Sequence, residues 1–258
     1  MSRFTLRPSF RFRVGPAFAL ALLLGSTGSY AQLNFVEHAL TDHEEGGGSV
    51  HAADVDGDGD TDVVASLSGL SPIGVVWFDN NGGSPPAFTE RLISDSFSSP
   101  SSVRATDMDG DGDTDVLIAW HGSGVITWHE NVGGSPPAFM ERIVSPDADS
   151  PGWVFPADLD GDGDTDVLSA QGGVVWYESD GGTPPTFSQH NLSHEAGGLV
   201  FATDLDGDGD FDVLTRGSED IIFWFENDGG SPPQFTERIV AQPAPSTSFY
   251  PTDLDGDG

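Results

Sequence analysis

Asp54-Val55-Asp56-Gly57-Asp58-Gly59-Asp60-Thr61-Asp62 is the stretch on which the reading of this chain turns. It sets a carboxylate at every second residue around two glycines, and the β-branched pair Val63-Val64 follows. The pattern returns at 107–115 (Asp107, Asp109, Asp111, Asp113, Asp115), at 158–166 (Asp158, Asp160, Asp162, Asp164, Asp166) and at 204–212 (Asp204, Asp206, Asp208, Asp210, Asp212). It begins once more at 253–258, with Asp253, Asp255 and Asp257. A hard cation such as Ca²⁺ takes six to eight oxygens at roughly 2.3–2.6 Å, and short carboxylates at alternate positions can wrap around one such point. Numbered from Asp54, positions 1, 3, 5 and 9 supply carboxylates, Gly59 at position 6 makes the sharp turn, and Asp60 at position 7 offers its backbone carbonyl. A frame starting at Asp56 would put Thr61 at the turn and fails. The chain is therefore expected to hold four complete Ca²⁺ loops, about one ion each, and one partial loop.

Three other readings of the acidic runs are weaker. Solvated acidic segments do not recur four times in strict register. An EF-hand needs a bidentate Glu at position 12 and flanking helices. Position 12 here is Ala65, Ile118, Ser169 and Thr215, and strand-like runs such as Val116-Leu117-Ile118 follow the loops. Catalytic acids would need other matched groups, and none repeats alongside these.

The first 31 residues read as a secretory signal: Arg3, Arg7, Arg11 and Arg13, an apolar stretch over 14–24, then Ser29-Tyr30-Ala31 before Gln32. The apolar stretch is shorter than the roughly 20 residues a spanning helix needs, and no later segment reads as transmembrane. Removing residues 1–31 takes away four of nine basic residues and no acidic one, so the formal charge goes from −33 to −37. That charge excludes nucleic acid as a partner. It also makes a compact fold repel itself unless cations neutralise it. With no Cys, an exported chain of this kind lacks disulfide staples, and metal sites are the candidate cross-links.

The loop is one part of a longer repeat. Successive loops start 53, 51, 46 and 49 residues apart, a period typical of solenoids, propellers and arrays. Each loop is followed by a second shared segment, Val75-Val76-Trp77-Phe78-Asp79-Asn80 in the first copy, then by a Gly-Gly-Ser/Thr-Pro-Pro turn, then by a segment such as Phe88-Thr89-Glu90-Arg91-Leu92-Ile93. Four strand candidates per repeat result, at about 102–107, 115–120, 124–130 and 139–144 in the second. The middle two are almost wholly apolar, as strands covered on both faces are. The fourth alternates, Phe88, Glu90 and Leu92 against Thr89 and Arg91, and suits a partly wet outer strand. The expected fold is all-β, a β-propeller of four-stranded blades, with Trp77, Trp128, Trp176 and Trp224 packing between blades. Residues 34–40 match the fourth-strand pattern yet precede the first loop, as a ring-closing strand would. Four complete blades with one opening and one closing strand imply an incomplete ring and a piece of a longer protein.

Asp-x-Asp-Gly-Asp-Gly-Asp-x-Asp before an apolar strand, at intervals near 50 residues over about 33–258, resembles the FG-GAP/VCBS repeat proteins. These are secreted or surface propellers related to the integrin α-subunit head. The resemblance implies a propeller, commonly seven-bladed, with structural Ca²⁺ in loops between the first and second strands of blades. Carried over by position, it implies Asp54, Asp56, Asp58 and Asp62 and their equivalents as side-chain ligands, Asp60 and its equivalents through the backbone, and partner binding on other loops. The Phe-Gly sequence that names FG-GAP is not evident, which makes the VCBS-type repeat the nearer likeness.

The leading expectation for function is a secreted or cell-surface, calcium-stabilised binding or adhesion module for an extracellular protein or glycan, and not an enzyme. The alternatives are an extracellular enzyme or enzyme accessory of the polysaccharide lyase or hydrolase type, its catalytic part absent from this chain, and a purely structural matrix repeat. The chain contains no Gly-x-Ser-x-Gly elbow, no His-Glu-x-x-His and no Cys nucleophile. His43, His51, His121, His129, His190 and His194 read as sharing no repeated position or ligand spacing.

Overall fold

Runs such as Val116-Leu117-Ile118 and Val75-Val76-Trp77 are β-branched or aromatic and are bounded by Gly- and Asp-rich turns, so they form strands rather than helices. A computed structural model of the protein describes residues 40, 47–67, 74–170, 172–193, 196–217, 221–242 and 249–252. Within them the first sheet comprises β1 (Gly47–Ala53), β2 (Asp62–Leu67), β3 (Gly74–Asn80) and β4 (Phe88–Ser94). The second comprises β5 (Pro100–Thr106), β6 (Asp115–Trp120), β7 (Val125–Gly134) and β8 (Pro137–Ser145). The third comprises β9 (Trp153–Ala157), β10 (Asp166–Ala170), β11 (Val174–Ser179) and β12 (Phe187–Ser193). The fourth comprises β13 (Ala196–Thr203), β14 (Asp212–Gly217), β15 (Ile222–Asn227) and β16 (Phe235–Ala241). Each sheet is an antiparallel meander in chain order.

The sheets stack as propeller blades. Their first strands neighbour one another at the centre: the Val103 N–H donates to Ser49 Oγ (3.2 Å) and the Val154 N–H to Ser102 Oγ (3.3 Å). The Phe155 and Phe201 rings meet edge-on at 5.8 Å. Between blades the cores are apolar. Val64, Val75 and Trp77 of the first pack with Val116, Ile118 and Trp120 of the second. Ile126 and Trp128 meet Val154, Val167 and Tyr177, and Leu168 and Trp176 meet Val213, Phe223 and Phe225. Val75 and Trp77 thus face the next blade, whereas Val76 and Phe78 face the opposite way, into a cluster that Leu40 joins. Burial on both faces is why the middle strands carry no polar alternation. Trp77, Trp128 and Trp176 are buried between blades as expected, while Trp224, with no described blade beyond it, is half-buried. Of the expected closing strand 34–40, only Leu40 lies within the described residues; the expected signal and the fifth loop at 253–258 lie outside them.

Two details depart from the expectation. The β7–β8 hairpin is longer, its ladder reaching Gly134 opposite Pro137. In the other repeats Asn81, Asp180 and Asp228 cap the turn, each accepting two turn N–H bonds on one side-chain oxygen. The residue at that position in the second repeat is Val132, which cannot accept; the backbone ladder takes the place of the cap. In the outer strand, Val75 pairs with Ser94 and Val76 with Leu92, so Ile93 is bulged. The pairing is regular from Phe88 to Leu92 and shifts only beyond it, and Leu92 is 55% exposed.

Candidate metal centre

Each of the four described Asp loops joins the first and second strand of its blade, and the same hydrogen bonds shape each copy, except that in the third no N–H meets Asp158 Oδ1. In the first loop, Asp54 at position 1 accepts the Gly57 N–H on Oδ1 (2.8 Å) and the Gly59 N–H on Oδ2 (2.9 Å). Asp56 and Asp58 each accept the N–H two residues on. Gly57 and Gly59 have φ of 74° and 91°, the left-handed region that glycine enters without steric cost. The turn is thus shared by positions 4 and 6.

Position 9 is different in kind. Asp62, Asp115, Asp166 and Asp212 are buried, and both oxygens of each are held by backbone. Oδ2 accepts from position 2 (Val55, Met108, Leu159, Leu205) at 2.9–3.1 Å. Oδ1 accepts from the end of the third strand (Asn80, Asn131, Ser179, Asn227) at 2.7–2.8 Å. This carboxylate ties loop, second strand and third strand together. Burial pushes the Asp115 carboxyl up to about 7 and that of Asp166 to about 6, despite two N–H bonds favouring the anion. Burial and neighbouring carboxylates also raise Asp56, Asp109, Asp160 and Asp206 at position 3.

Three carboxylates per loop bring an oxygen within 4.8 Å of one another: Asp54, Asp56 and Asp58; Asp107, Asp109 and Asp115; Asp158, Asp160 and Asp166; Asp204, Asp206 and Asp212. Asp62, Asp111, Asp162 and Asp208 belong to the same loops but stand outside these tight trios. Position 7 is turned away. A Cβ on Gly82, Gly181 or Gly229 would collide with the carboxylate of Asp60, Asp164 or Asp210, and Asp113 reaches towards Gly133. Those side chains lie against the Gly-Gly turn, which leaves the backbone of position 7 as its route to a cation. A divalent ion fits this donor set. All donors are hard oxygens, the trios hold like charges together, and Asp158 Oδ1 is buried without a hydrogen-bond partner. Asp253, Asp255 and Asp257 lie outside the described residues.

The strand-to-strand ion pairs were not apparent as a set from the sequence. Arg91–Asp79 (2.9 Å), Arg142–Glu130 (2.6 Å), His190–Glu178 (2.6 Å) and Arg238–Glu226 join the third and fourth strands of successive blades. In three blades the basic group lies over the blade's Trp: Arg91 on Trp77, His190 on Trp176 and Arg238 on Trp224. His190 therefore does hold a repeated position, the one Arg fills elsewhere, and His129 stands where Phe78, Tyr177 and Phe225 stand. Aligning the Trp residues rather than the histidines reveals both. His51 accepts the Ala105 N–H on Nδ1 (3.0 Å) across a blade boundary. His121 Nδ1 is 3.1 Å from the Ser150 carbonyl, and His43 and His194 lie outside the described residues.

A comparison with curated proteins finds no match. Among solved structures, the V. cholerae biofilm matrix protein Bap1 aligns over 72% of this chain and 29% of its own length, with 18% identity and a TM-score of 0.41. The model of the FG-GAP-like repeat matches residues 54–118, 107–169, 158–215 and 204–258. The first three matches run from one Asp loop into the second strand of the following blade. By motif, period and blade topology, the chain belongs to the FG-GAP-like repeat family.

Proposed function

We propose that the protein is an exported, calcium-stabilised propeller that serves as a binding or adhesion module for an extracellular protein or glycan, and that it is not an enzyme. The observation that carries the calcium reading is the convergence of three carboxylate oxygens in each of four equivalent loops, in a chain of formal charge −33. A structural role for the ion follows from its surroundings: position 9 locks the loop to two strands, so ordering the loop orders the blade. His51 and His190 are engaged in a blade-to-blade and a strand-to-strand contact, and buried His129 in a contact with Thr127 of its own strand, which supports a non-catalytic reading. The word adhesion rests on the family resemblance to surface propellers. Export rests on the signal-like residues 1–31; among the described residues no helix is long and apolar enough to cross a membrane.

The test is thermal melting in Ca²⁺ and in chelator. At about 1,000-fold excess over its Kd one site contributes about 4 kcal/mol, which for a chain of this size raises Tm by about 10 °C. Identical melting in both conditions rules out structural calcium. Retention on immobilised glycans or matrix proteins without turnover supports the module; product release points to the enzyme alternative.

A further inference from the structure

We infer that Asn131, Thr165 and Asn227 are positioning residues for the metal loop of the blade before their own, so that filling a loop and docking the next blade are coupled. This rests on the reading of the loops as Ca²⁺ sites. Asn131 is buried, and its Nδ2 donates both to Thr114 O of its own loop (3.2 Å) and to Val55 O of the preceding blade's loop (3.1 Å). Asn227 repeats the arrangement two boundaries further on, donating to Phe211 O (3.1 Å) and to Leu159 O (2.8 Å). The third blade has Ser179 at this position, too short to span, and there Thr165 Oγ1 crosses instead, to Asp107 O (3.2 Å). All three described blade boundaries thus carry a side-chain donor aimed at the backbone of position 1 or 2 of the loop behind.

Those carbonyls belong to the peptides flanking positions 1 to 3, where two of the carboxylates of each trio sit. Fixing them fixes the separation of Asp54 from Asp56, or Asp107 from Asp109, before any ion arrives, and pre-set ligands bind more tightly than ligands that must be ordered. The position 2 side chain reports the same dependence. Val55, Met108 and Leu159 are 1–2% exposed beneath the following blade, whereas Leu205, over which no described blade lies, is 41% exposed.

The test is a Ca²⁺ titration of the isotope-labelled full chain, read from the Gly59 amide for the first loop, Gly112 for the second and Gly163 for the third. Thr165→Val keeps the shape of the side chain and removes the donor. It is expected to weaken the second loop about fivefold while leaving the third, its own, unchanged. Asn131→Ser, which copies the side chain of the third blade, is expected to weaken the first loop by a similar factor. A role limited to packing would lower metal-free melting and leave these affinities at wild-type values. Both preceding loops within twofold of wild type would overturn the coupling while the calcium reading stands. No shift of any of the three amides in the wild-type chain would remove the calcium reading and the coupling together.

Discussion

At the scale of single residues, aspartates of one sequence pattern divide into three jobs. Position 7 rests against the Gly-Gly turn, positions 1 and 3 sit in the oxygen trio of every described loop, and position 9 is buried with both oxygens holding backbone N–H groups while completing the trio in three of the four loops. Substitutions at positions 5 and 9 should therefore differ in what they cost the metal-free fold. Asp111→Ala removes an exposed carboxylate and is expected to lower Ca²⁺ affinity at the second loop with less than about 0.5 kcal/mol lost from the metal-free protein. Asp115→Ala strands the Met108 and Asn131 N–H groups and is expected to cost about 2–4 kcal/mol even in chelator. Denaturant unfolding of both variants, with and without Ca²⁺, checks the division; equal metal-free losses would refute it. The nine-residue loops were legible in the sequence because every carboxylate of a cluster lies within one short segment. The separate role of position 9 was not, because its second partner is a main-chain N–H 13–18 residues away.

At the scale of strands, the repeat explains an outlier. β7 carries His129 where β3, β11 and β15 carry Phe78, Tyr177 and Phe225, and the imidazole is buried with Nε2 3.2 Å from Thr127 Oγ1. Burial lowers its pKa to about 4, from an ordinary value near 6.5. The native state keeps this His neutral while the unfolded chain takes up a proton, so its contribution is complete above about pH 6.5 and is lost as pH falls towards 4. By pH 5 the loss is about 2 kcal/mol. His129→Phe is expected to flatten the fall in metal-free stability between pH 7.5 and 5; an unchanged slope would place the acid sensitivity elsewhere. Strand number per blade and the apolar middle pair followed from the repeated segments and the turns between them. The longer β7–β8 ladder and the bulge at Ile93 did not, since each depends on which turn group accepts and which register the neighbouring strand imposes.

For the whole molecule, charge is the governing quantity. The five basic residues after residue 31 are all arginine, and three of them, Arg91, Arg142 and Arg238, are already engaged by acids of the same blade. The twenty Asp residues of the four described loops far outnumber the basic residues available to offset them. Without divalent ions, stability is expected to rise with NaCl between low and physiological ionic strength, because screening relieves repulsion within and between loops. With Ca²⁺ bound, the same salt series should have little effect. Melting curves at several salt concentrations in chelator and in Ca²⁺ check this, and parallel curves would count against self-repulsion. The blade arrangement was readable from the 46–53-residue spacing of the loops. The contacts between blades were not, because Asn131 reaches a carbonyl 76 positions back and nothing in the local pattern marks that reach.

The burial of Val55, Met108 and Leu159 under the following blade has a consequence for how such a chain can be recombined. The four strands that share hydrogen bonds are not the unit that can be exchanged intact. A crossover placed between β4 and β5 keeps a sheet whole but gives its Asp loop a foreign lid. A crossover placed between the second and third strands of the following blade is no better, because it parts the loop from the Asn131 or Asn227 side chain on that third strand. A loop keeps its cover only when the graft runs from the loop through the third strand of the following blade, so duplicating a single repeat leaves its last loop under a foreign lid.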